Sequence, residues 1–410
     1  MAHVILRARP EGVELVNQMA LDAAYEVSGD ADAEATAIAC ARGIQAPPGA
    51  AKVAKLYLAG RCAFNCAYCG CRAGREGGSR YALEPRALAR LAVEAAGGRG
   101  VFLSSAICQN ADYTQERLAE AARIMREELH YAGYLHAKVM PGADEALIAR
   151  TGRYASRLSV NIEVAHSAGY AQIARQKSRR LILSPMGAIA RQIGEARETR
   201  APFARSQTTQ LMAGAIGEDD RTIMTLAGAL YGRYRLKRVY YTAFHYEHPA
   251  AGYPDLQRRR TPFWRVARLY QADRLIALYG FSPDDVTPRD AAMLEEDIDP
   301  KAAWALRHLD LYPIEVNRAD YETLLRVPGI GVTYARRIIE ARRHCAITHD
   351  VLRRMRVSLK RSRYFITCMG RYEGGDMLDA PGLRAALTSA GEQASIARAV
   401  ADGAPLCEEG

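Results

Sequence analysis

Short apolar runs alternate with amphipathic segments between residues 51 and 248. The runs lie at 53–59, 100–106, 134–140, 157–164, 207–214 and 237–244. Between them, apolar residues recur at helical spacing at 85–96, 114–131, 143–150, 185–197 and 219–235. Six strands separated by helices predict consecutive βα units and a parallel sheet. The pattern fits either an open doubly wound sheet or a partial barrel, and in both the chemistry lies at the carboxyl ends of the strands.

Breaks in this pattern divide the chain into five predicted segments. They are an N-terminal helical extension (1–50), the βα region (51–250), a segment with a basic loop, a helix at 263–279 and a connector (251–313), a small helical domain (314–375) and a C-terminal tail (376–410). The Pro-Pro-Gly sequence at 47–49 marks the first boundary, because these residues end regular structure.

Composition argues against a disordered protein and against a membrane-spanning one. Of the 410 residues, 49% are hydrophobic and 25% are charged, which are ordinary values for a globular protein. No window approaches the roughly 20 apolar residues that a membrane span needs. The first ten residues lack an uninterrupted apolar core, so we expect no signal peptide and a cytoplasmic location.

The net charge of +10 is unevenly distributed. Residues 301–375 contain 15 Lys and Arg against 7 Asp and Glu, a net charge of +8. Residues 376–410 contain 2 basic and 6 acidic residues, a net charge of −4. A local basic surplus fits a polyanionic partner, although solvated Lys and Arg side chains alone would produce the same count.

Four of the nine cysteines fall within ten residues, immediately after the first predicted strand. Cys62, Cys66 and Cys69 form a Cys-x3-Cys-x2-Cys motif, and Cys71 follows. A loop this tight suits three corners of a 4Fe-4S cubane, leaving the fourth iron open. The alternative is a zinc site that uses Cys71, but zinc ligands usually come as two separated pairs.

This motif, with aromatic Tyr68 before the third cysteine and βα units after it, resembles the radical S-adenosylmethionine superfamily. The resemblance implies a partial (β/α)6 TIM-like barrel, within an α/β fold that also has the N-terminal helical extension and a small all-α C-terminal domain. It implies a 4Fe-4S cluster held by the three cysteines. One electron from that cluster would cleave S-adenosylmethionine to methionine and a 5′-deoxyadenosyl radical, which takes a hydrogen atom from the substrate.

The same resemblance assigns the cofactor-binding residues. Besides Tyr68, they are Ser104 and Ser105 at the end of strand two, Ser159, Asn161 and Glu163 on strand four, and Gly214 and Gly217 after strand five. Residues 103–106, Leu-Ser-Ser-Ala, stand where many members have a Gly-Gly-Glu-like stretch, so no carboxylate is present there. The alternation of Ser159, Asn161 and Glu163 predicts that they share one face.

A second motif, Val-Pro-Gly-Ile-Gly at 327–331, joins two amphipathic segments and predicts a helix-hairpin-helix. Gly329 and Gly331 would let backbone N–H groups approach a phosphate at the start of the second helix, and Arg336 and Arg337 add charge. Residues 348–364 look like a degenerate second copy. A purely structural or protein-binding hairpin is the alternative, but the basic surplus favours nucleic acid.

Three short motifs accompany the barrel and the hairpin: Leu-Tyr-Gln-Ala-Asp at 269–273, Trp-Ala-Leu-Arg-His at 304–308 and Arg-Tyr-Phe-Ile at 363–366. With them, a radical barrel joined to this hairpin resembles the DNA modification and repair members of the superfamily. That resemblance covers about residues 50–372 and implies double-stranded DNA as substrate, a uracil-DNA-glycosylase-like partner protein and an electron donor. The alternatives are an RNA-modifying radical enzyme and a non-enzymatic DNA-binding protein with a redox-sensing cluster.

Several residues are candidates for contacting the substrate. Tyr241 and His245 end the sixth strand, where aromatic rings would stack on an extruded base or simply form the barrel rim. Arg258, Arg259 and Arg260 would grip phosphates, and Cys108 would return a hydrogen atom to a product radical. On strand three, His136 and Lys138 share a face, and Lys138 is a candidate ligand for a carboxylate or phosphate.

Overall fold

The computed structural model describes residues 53–74, 81–97, 100–246, 252–253, 256, 259–375 and 379–388. The predicted N-terminal extension and most of the predicted tail lie outside this part of the chain. The described residues belong to two compact units. One contains residues 53–218 and 229–262, and the other contains residues 219–228 and 263–388.

The first unit is built on a sheet of six parallel strands. They are β1 (Val53–Tyr57), β2 (Gly100–Ser104), β3 (Leu135–Lys138), β4 (Arg157–Ser159), β5 (Ser206–Ala213) and β6 (Arg238–Ala243). Their spatial order equals their chain order, and all neighbouring pairs are parallel. A doubly wound sheet would reverse its order at a switch point. The structure therefore confirms the predicted α/β class and the partial (β/α)6 barrel.

A helix lies in each connection between successive strands. These helices are α1 (Pro85–Ala96), α2 (Ala111–Arg123), α3 (Glu145–Tyr154), α4 (Ala168–Ile173), α5 (Arg179–Thr199) and α6 (Asp220–Tyr234). A π-helical turn, Ile124–Glu128, extends α2. Local signals set several ends: the Asn110, Asp144 and Ser178 side chains cap α2, α3 and α5 by accepting backbone hydrogen bonds.

The two faces of the sheet differ in composition. On one face, Leu103, Ala137 and Leu158 are fully buried. Gln207 lies on this face too, and its amide donates to the carbonyl oxygens of Met186 in α5 and Tyr234 in α6. Side chains alternate along a strand, so the residues between these point the other way. That opposite face is polar and lies on the inside of the curved sheet; we call it the inner face.

The fourth strand is shorter than predicted. It ends at Ser159, and Glu163 then adopts a left-handed backbone conformation with φ of 63°. Strand pairing slips by one residue here, because Ser159 pairs with Thr208 whereas Glu163 bridges to Leu211. The expectation that Ser159, Asn161 and Glu163 follow one regular alternation is therefore wrong. Helix α4, in the connection that follows, was also absent from the predicted elements.

The second unit is mainly helical. Its helices are α7 (Phe263–Tyr279), α8 (Pro283–Val286), α9 (Pro300–Arg307), α10 (Tyr321–Arg326), α11 (Val332–Ala341), α12 (His349–Arg354), α13 (Leu359–Ser362) and α14 (Ala380–Leu387), with a 3-10 turn at Leu309–Leu311. It also contains a small sheet that the pattern did not predict. Its strands are β9 (Ile314–Glu315), β10 (Ile366–Cys368) and β11 (Arg371–Tyr372). The two remaining strands, β7 (His245–Tyr246) and β8 (Arg259–Arg260), pair antiparallel in the first unit.

A buried ion pair orders the second unit. Arg265 Nε lies 2.7 Å from Asp220 Oδ1, and the Asp220 side chain is fully buried. The other Asp220 oxygen accepts from the Leu294 backbone N–H. Fully buried Arg268 donates to the carbonyl oxygens of Glu295 and Glu296. The Arg268 side chain thus holds the backbone of the segment that contains these two residues. Among the described residues, no helix is long and apolar enough to cross a membrane.

Candidate cluster site and nucleic-acid interface

The cysteine loop follows β1 at the carboxyl end of the sheet. It is held at both sides by backbone hydrogen bonds, from Ala63 N–H to the Ile107 carbonyl and from Ala67 N–H to the Ile173 carbonyl. Ile107 follows β2 and Ile173 ends α4, so the loop is fixed to two other parts of the barrel. Cys66 is buried, whereas Cys62 and Cys69 are half-buried.

The Cys62 sulfur accepts two backbone hydrogen bonds, from Phe64 N–H at 3.3 Å and Ile107 N–H at 3.4 Å. Burial raises the pKa of Cys62 to about 11, an effect that these two donors partly offset. Burial also raises the pKa of Cys66 to about 12, while the positive charge of Lys177 opposes the rise. The Cys62 and Cys66 thiols are thus protonated in the free chain, and binding a metal would release their protons.

The chemistry of the cysteine loop fits a 4Fe-4S cluster. Its three thiols lie on one fixed loop, two backbone N–H groups donate to sulfur, and a cation lies nearby. Among the described residues, no three His, Cys, Asp or Glu side chains are already gathered as a metal site. The thiols would therefore turn toward a common centre when a cluster binds, which rotation about their Cα–Cβ bonds allows.

A buried ion pair adjoins the cysteine loop. Lys177, which follows α4, donates to Glu163 Oε1 at 2.7 Å and to the Tyr68 hydroxyl at 3.0 Å. Burial opposes the charge on Lys177, but Glu163 and the neighbouring Cys66 raise its pKa above the ordinary value. Burial and the same carboxylate raise the pKa of Tyr68. The structure thus brings together two predicted residues, Tyr68 and Glu163, through a third that was not predicted.

Ser104, the last residue of β2, and the following Ser105 lie beside the end of β1. The Ser104 side chain is buried, and its carbonyl accepts from Leu58 N–H at 2.9 Å. The Ser105 hydroxyl donates to the Ala106 carbonyl. Since the Ile107 N–H contacts the Cys62 sulfur, this segment borders the cysteine loop. Asn161 is buried beyond the end of β4.

The turn after β5 needs its two glycines. Gly214 and Gly217 have φ of 80° and 78°, in the left-handed region that favours glycine. The Glu218 carboxylate accepts from Gly214 N–H at 2.6 Å and from Ile216 N–H at 3.0 Å. Glu218 was not predicted as a site residue. Because its carboxylate accepts from two backbone N–H groups of this turn, these two groups are not available to a nucleoside.

The predicted position of Tyr241 at the barrel mouth does not match the structure. Tyr241 pairs with Leu211, and both side chains lie on the face that packs against the helices. The inner face of β6 instead presents Tyr240 and Thr242, since these alternate with Tyr241. His245 lies in β7, and its side chain is outside the described part of the chain.

The predicted phosphate-binding arginines are only partly described. Arg258 and the side chain of Arg259 are outside the described residues, and Arg260 is exposed in β8.

Cys108, the predicted hydrogen-atom donor, is half-buried after β2, and its backbone N–H donates to Thr114 Oγ1 at 2.9 Å. Burial raises the pKa of Cys108, while Arg117 lowers it.

The hairpin motif forms the turn between α10 and α11. Gly329 has φ of 86°, and a Cβ placed on it would lie 3.0 Å from the Ser358 carbonyl oxygen. Gly331 caps the start of α11, and its own Cβ would lie 3.0 Å from the Tyr279 hydroxyl. Gly329 therefore requires glycine, whereas a side chain at Gly331 would need only a small shift of the Tyr279 ring. The buried Lys301 ammonium also holds this turn, because it donates a hydrogen bond to the Ile330 carbonyl.

A second turn, between α12 and α13, repeats the shape of the first. Arg356 has φ of 60°, Val357 is buried and Ser358 precedes α13. These three residues correspond to Gly329, Ile330 and Gly331, and the two turns pack directly on each other. The region thus contains two related hairpins, the second without glycine.

Exposed basic side chains surround these hairpins. Arg336 and Arg337 lie on α11 opposite its buried residues Ala335 and Ile338, and neither forms an ion pair with a described residue. Other exposed basic residues of the region include Arg354, Arg356, Lys360 and Arg363. Arg342, by contrast, is bound to the carbonyl oxygens of Val316 and Ala319 and supports the fold.

Comparisons with known proteins give a structural similarity. No protein-family model matches the chain, and no curated protein matches it. Among solved structures, the FeFe-hydrogenase maturase HydG from Carboxydothermus hydrogenoformans is similar with a TM-score of 0.42 and 16% sequence identity. The similarity covers 65% of this chain and 64% of the HydG chain, so the chain spans just under two thirds of that protein.

Proposed function

We propose that this chain is a radical S-adenosylmethionine enzyme that modifies or repairs DNA. The observation that carries the proposal is the cysteine loop at the carboxyl end of the half-barrel, with its N–H donors to sulfur and its neighbouring Lys177. Carboxyl ends of barrel strands are where such folds place their active sites. Zinc is a weaker interpretation, because four thiols within ten residues do not form the two separated ligand pairs that tetrahedral zinc usually uses.

The residues that would hold the group follow from this placement. Cys62, Cys66 and Cys69 would ligate three irons of a 4Fe-4S cluster, and Tyr68 would lie beside the cofactor. When bound, the cluster supplies the electron that cleaves S-adenosylmethionine to a 5′-deoxyadenosyl radical. Lys177 would keep the negative charge of Glu163 compensated within this buried region.

Nucleic acid as the partner is supported by the hairpin pair. The first turn places the start of a ten-residue helix beside two glycines. Residues 301–375, which include several exposed arginines, have a net charge of +8. A helix N-terminus with surrounding arginines suits phosphate oxygens without reading sequence. We infer duplex DNA as the substrate, with a uracil-DNA-glycosylase-like partner protein and an electron donor completing the system.

The test is an anaerobic assay for 5′-deoxyadenosine. The cluster is reconstituted and reduced, and the product is quantified with no nucleic acid, with duplex DNA and with structured RNA. The proposal predicts a rise with duplex DNA. Stimulation by RNA alone would assign the enzyme to RNA, and absence of 5′-deoxyadenosine with an intact cluster would leave a DNA-binding protein with a redox cluster.

A further inference from the structure

A buried lysine lies against the first hairpin turn. Lys301, near the start of α9, is 8% exposed, and its ammonium donates to the Ile330 carbonyl oxygen. The same ammonium lies 4.9 Å from the centre of the Tyr279 ring. Among the described residues, no carboxylate forms an ion pair with it. Lys301 therefore keeps a charged group inside the fold with a single hydrogen bond for its three N–H donors.

Three charged side chains face Lys301 from the neighbouring helices. Asp299, whose side chain caps α9, has one carboxylate oxygen 3.1 Å from Arg361 Nη1 of α13. The third is Arg326, at the end of α10. Burial lowers the pKa of Lys301 to about 7; the negative charge of Asp299 opposes this shift, and the two arginines add to it. The positive charge of Lys301 is therefore poorly compensated in the free chain.

The carbonyl that Lys301 binds shares its peptide group with the N–H of Gly331. Gly331 precedes α11, and its N–H has no hydrogen-bond partner among the described residues. The first N–H groups of a helix lack a partner within the helix and favour an anion. A positive charge at the carbonyl side of a peptide polarises it, so the hydrogen bond that its N–H donates becomes stronger. An anion at this N–H would therefore compensate Lys301 through the peptide.

We propose that Lys301 positions the first hairpin turn for a phosphate group of duplex DNA and supplies part of the charge that holds this phosphate. The assignment rests on the proposed action on DNA. The phosphate would accept from the N–H groups at the start of α11, and its negative charge would favour the protonated form of Lys301. Packing alone does not need that charge, because a methionine of similar length would fill the space without burying an ammonium.

The test is a titration of a fluorescently labelled DNA duplex with the full chain at constant salt, between pH 6.5 and 9. At pH 6.5 we expect Lys301→Met to bind about tenfold more weakly than the unaltered chain. A tenfold effect corresponds to one pKa unit, so the phosphate would raise the pKa of Lys301 from about 7 to about 8. The affinity of the unaltered chain should then be fully present below pH 7 and fall about tenfold as the pH rises through 8. Lys301→Met should lack this fall.

Lys301→Gln separates the charge from the hydrogen bond. Its amide can still donate to the Ile330 carbonyl but is neutral at every pH, so it should behave like Lys301→Met. Lys360→Met is the matched control, because it removes an exposed positive charge from α13 of the same unit. This control should keep the fall in affinity between pH 7 and 9.

A second readout is proton uptake on binding, which a purely structural lysine would not produce. Calorimetric titration with the duplex at pH 7.5, in two buffers of different ionisation enthalpy, measures it. The unaltered chain and Lys360→Met should take up about half a proton more per chain than Lys301→Gln. If Lys301→Met does not fold, Lys301→Gln and the proton uptake decide the outcome.

Three results would overturn the proposal: unchanged affinity in both Lys301 variants, full affinity in Lys301→Gln alone, or equal proton uptake by the unaltered chain and Lys301→Gln. None of these titrations needs the cluster, so they are independent of the 5′-deoxyadenosine assay. If the unaltered chain binds no duplex, the DNA partner of the proposed function fails and this assignment fails with it. Duplex binding without an effect of Lys301 contradicts this assignment alone.

Discussion

Lys177 Nζ lies 2.7 Å from Glu163 Oε1, and the two side chains are only 11% and 6% exposed. This pair joins the segment after β4 to the residue after α4, and its hydrogen bond to Tyr68 extends the contact to the cysteine loop. One ion pair thus connects three segments of the candidate cluster site.

Breaking this pair should be costly. Removing one partner leaves an uncompensated buried charge, so we expect Lys177→Met to lower the free energy of unfolding of this unit by about 3–5 kcal/mol. The double variant Lys177→Met with Glu163→Gln should lose less than the sum of the single losses. Urea titration measures all three.

The exposed pair Arg191–Glu145 is the control, with a 2.9 Å contact between side chains that are more than half exposed. Arg191→Met should change the free energy of unfolding by no more than about 1 kcal/mol. Equal losses at the two pairs would contradict the importance of burial here.

The first hairpin turn should not tolerate a side chain. Gly329→Ala adds a Cβ at φ of 86° and 3.0 Å from the Ser358 oxygen, so both strain and contact oppose it. Gly280→Ala has the left-handed conformation, with φ of 72°, but open space around the new methyl group. We expect about 1–2 kcal/mol of destabilisation at Gly280 from conformation alone, and more at Gly329. Thermal unfolding compares them, and equal losses would show that packing between the two turns contributes nothing.

Glu315 should make the second unit sensitive to acid. Burial opposes its ionisation, but N–H groups of Gly370, Asn317 and Met369 hydrogen-bond its carboxylate and lower its pKa to about 2. A depressed carboxyl pKa stabilises the fold above the ordinary value near 4.5, and the stabilisation is lost as the pH falls toward 2.

We therefore expect Glu315→Gln to be less stable at pH 6 and to lose less stability than the unaltered chain between pH 4.5 and 2. Urea midpoints across this range measure the effect. Glu322→Gln, at an exposed position of α10, is the control and should follow the unaltered chain. A pH profile of Glu315→Gln that parallels the unaltered chain would rule out the proposed linkage.

Arg336 and Arg337 should contribute to DNA binding through phosphate contacts. Each phosphate contact contributes about 0.9 to the slope of log affinity against log salt. Replacing both by Ala should weaken duplex binding and reduce that slope by about 2, independently of sequence. The charge-matched control replaces exposed Arg233 and Lys237 of the first unit by Ala. An unchanged slope for the hairpin variant, or the same change in the control, would argue against the hairpin as the DNA contact.

Much of the fold could be predicted because its signals are local. Period-two and helical apolar patterns located all six strands of the barrel and five of its helices, and helix 263–279 was predicted with its observed ends. The short helix α4 and the strands β9 to β11 have two to six residues, which is too few for a periodic pattern.

The candidate site was less accessible from sequence because its contacts are long-range. The cysteine spacing is visible in eight consecutive residues. Lys177, by contrast, approaches Tyr68 from 109 positions away. No motif marks Lys177 or Glu218, and only the folded chain brings Lys177 to Glu163 and Glu218 to the turn after β5. The position of Tyr241 was wrong because residue type at a strand end does not tell which face the side chain occupies.

The most direct test compares two cysteine variants of the same loop. After anaerobic reconstitution, iron content and 5′-deoxyadenosine are measured for the unaltered chain, Cys66→Ala and Cys71→Ala. A 4Fe-4S cluster on the three predicted ligands requires about four irons per chain and 5′-deoxyadenosine from both the unaltered chain and Cys71→Ala. Cys66→Ala should yield neither. Zinc in place of iron, released by Cys71→Ala as readily as by Cys66→Ala, would contradict the central claim.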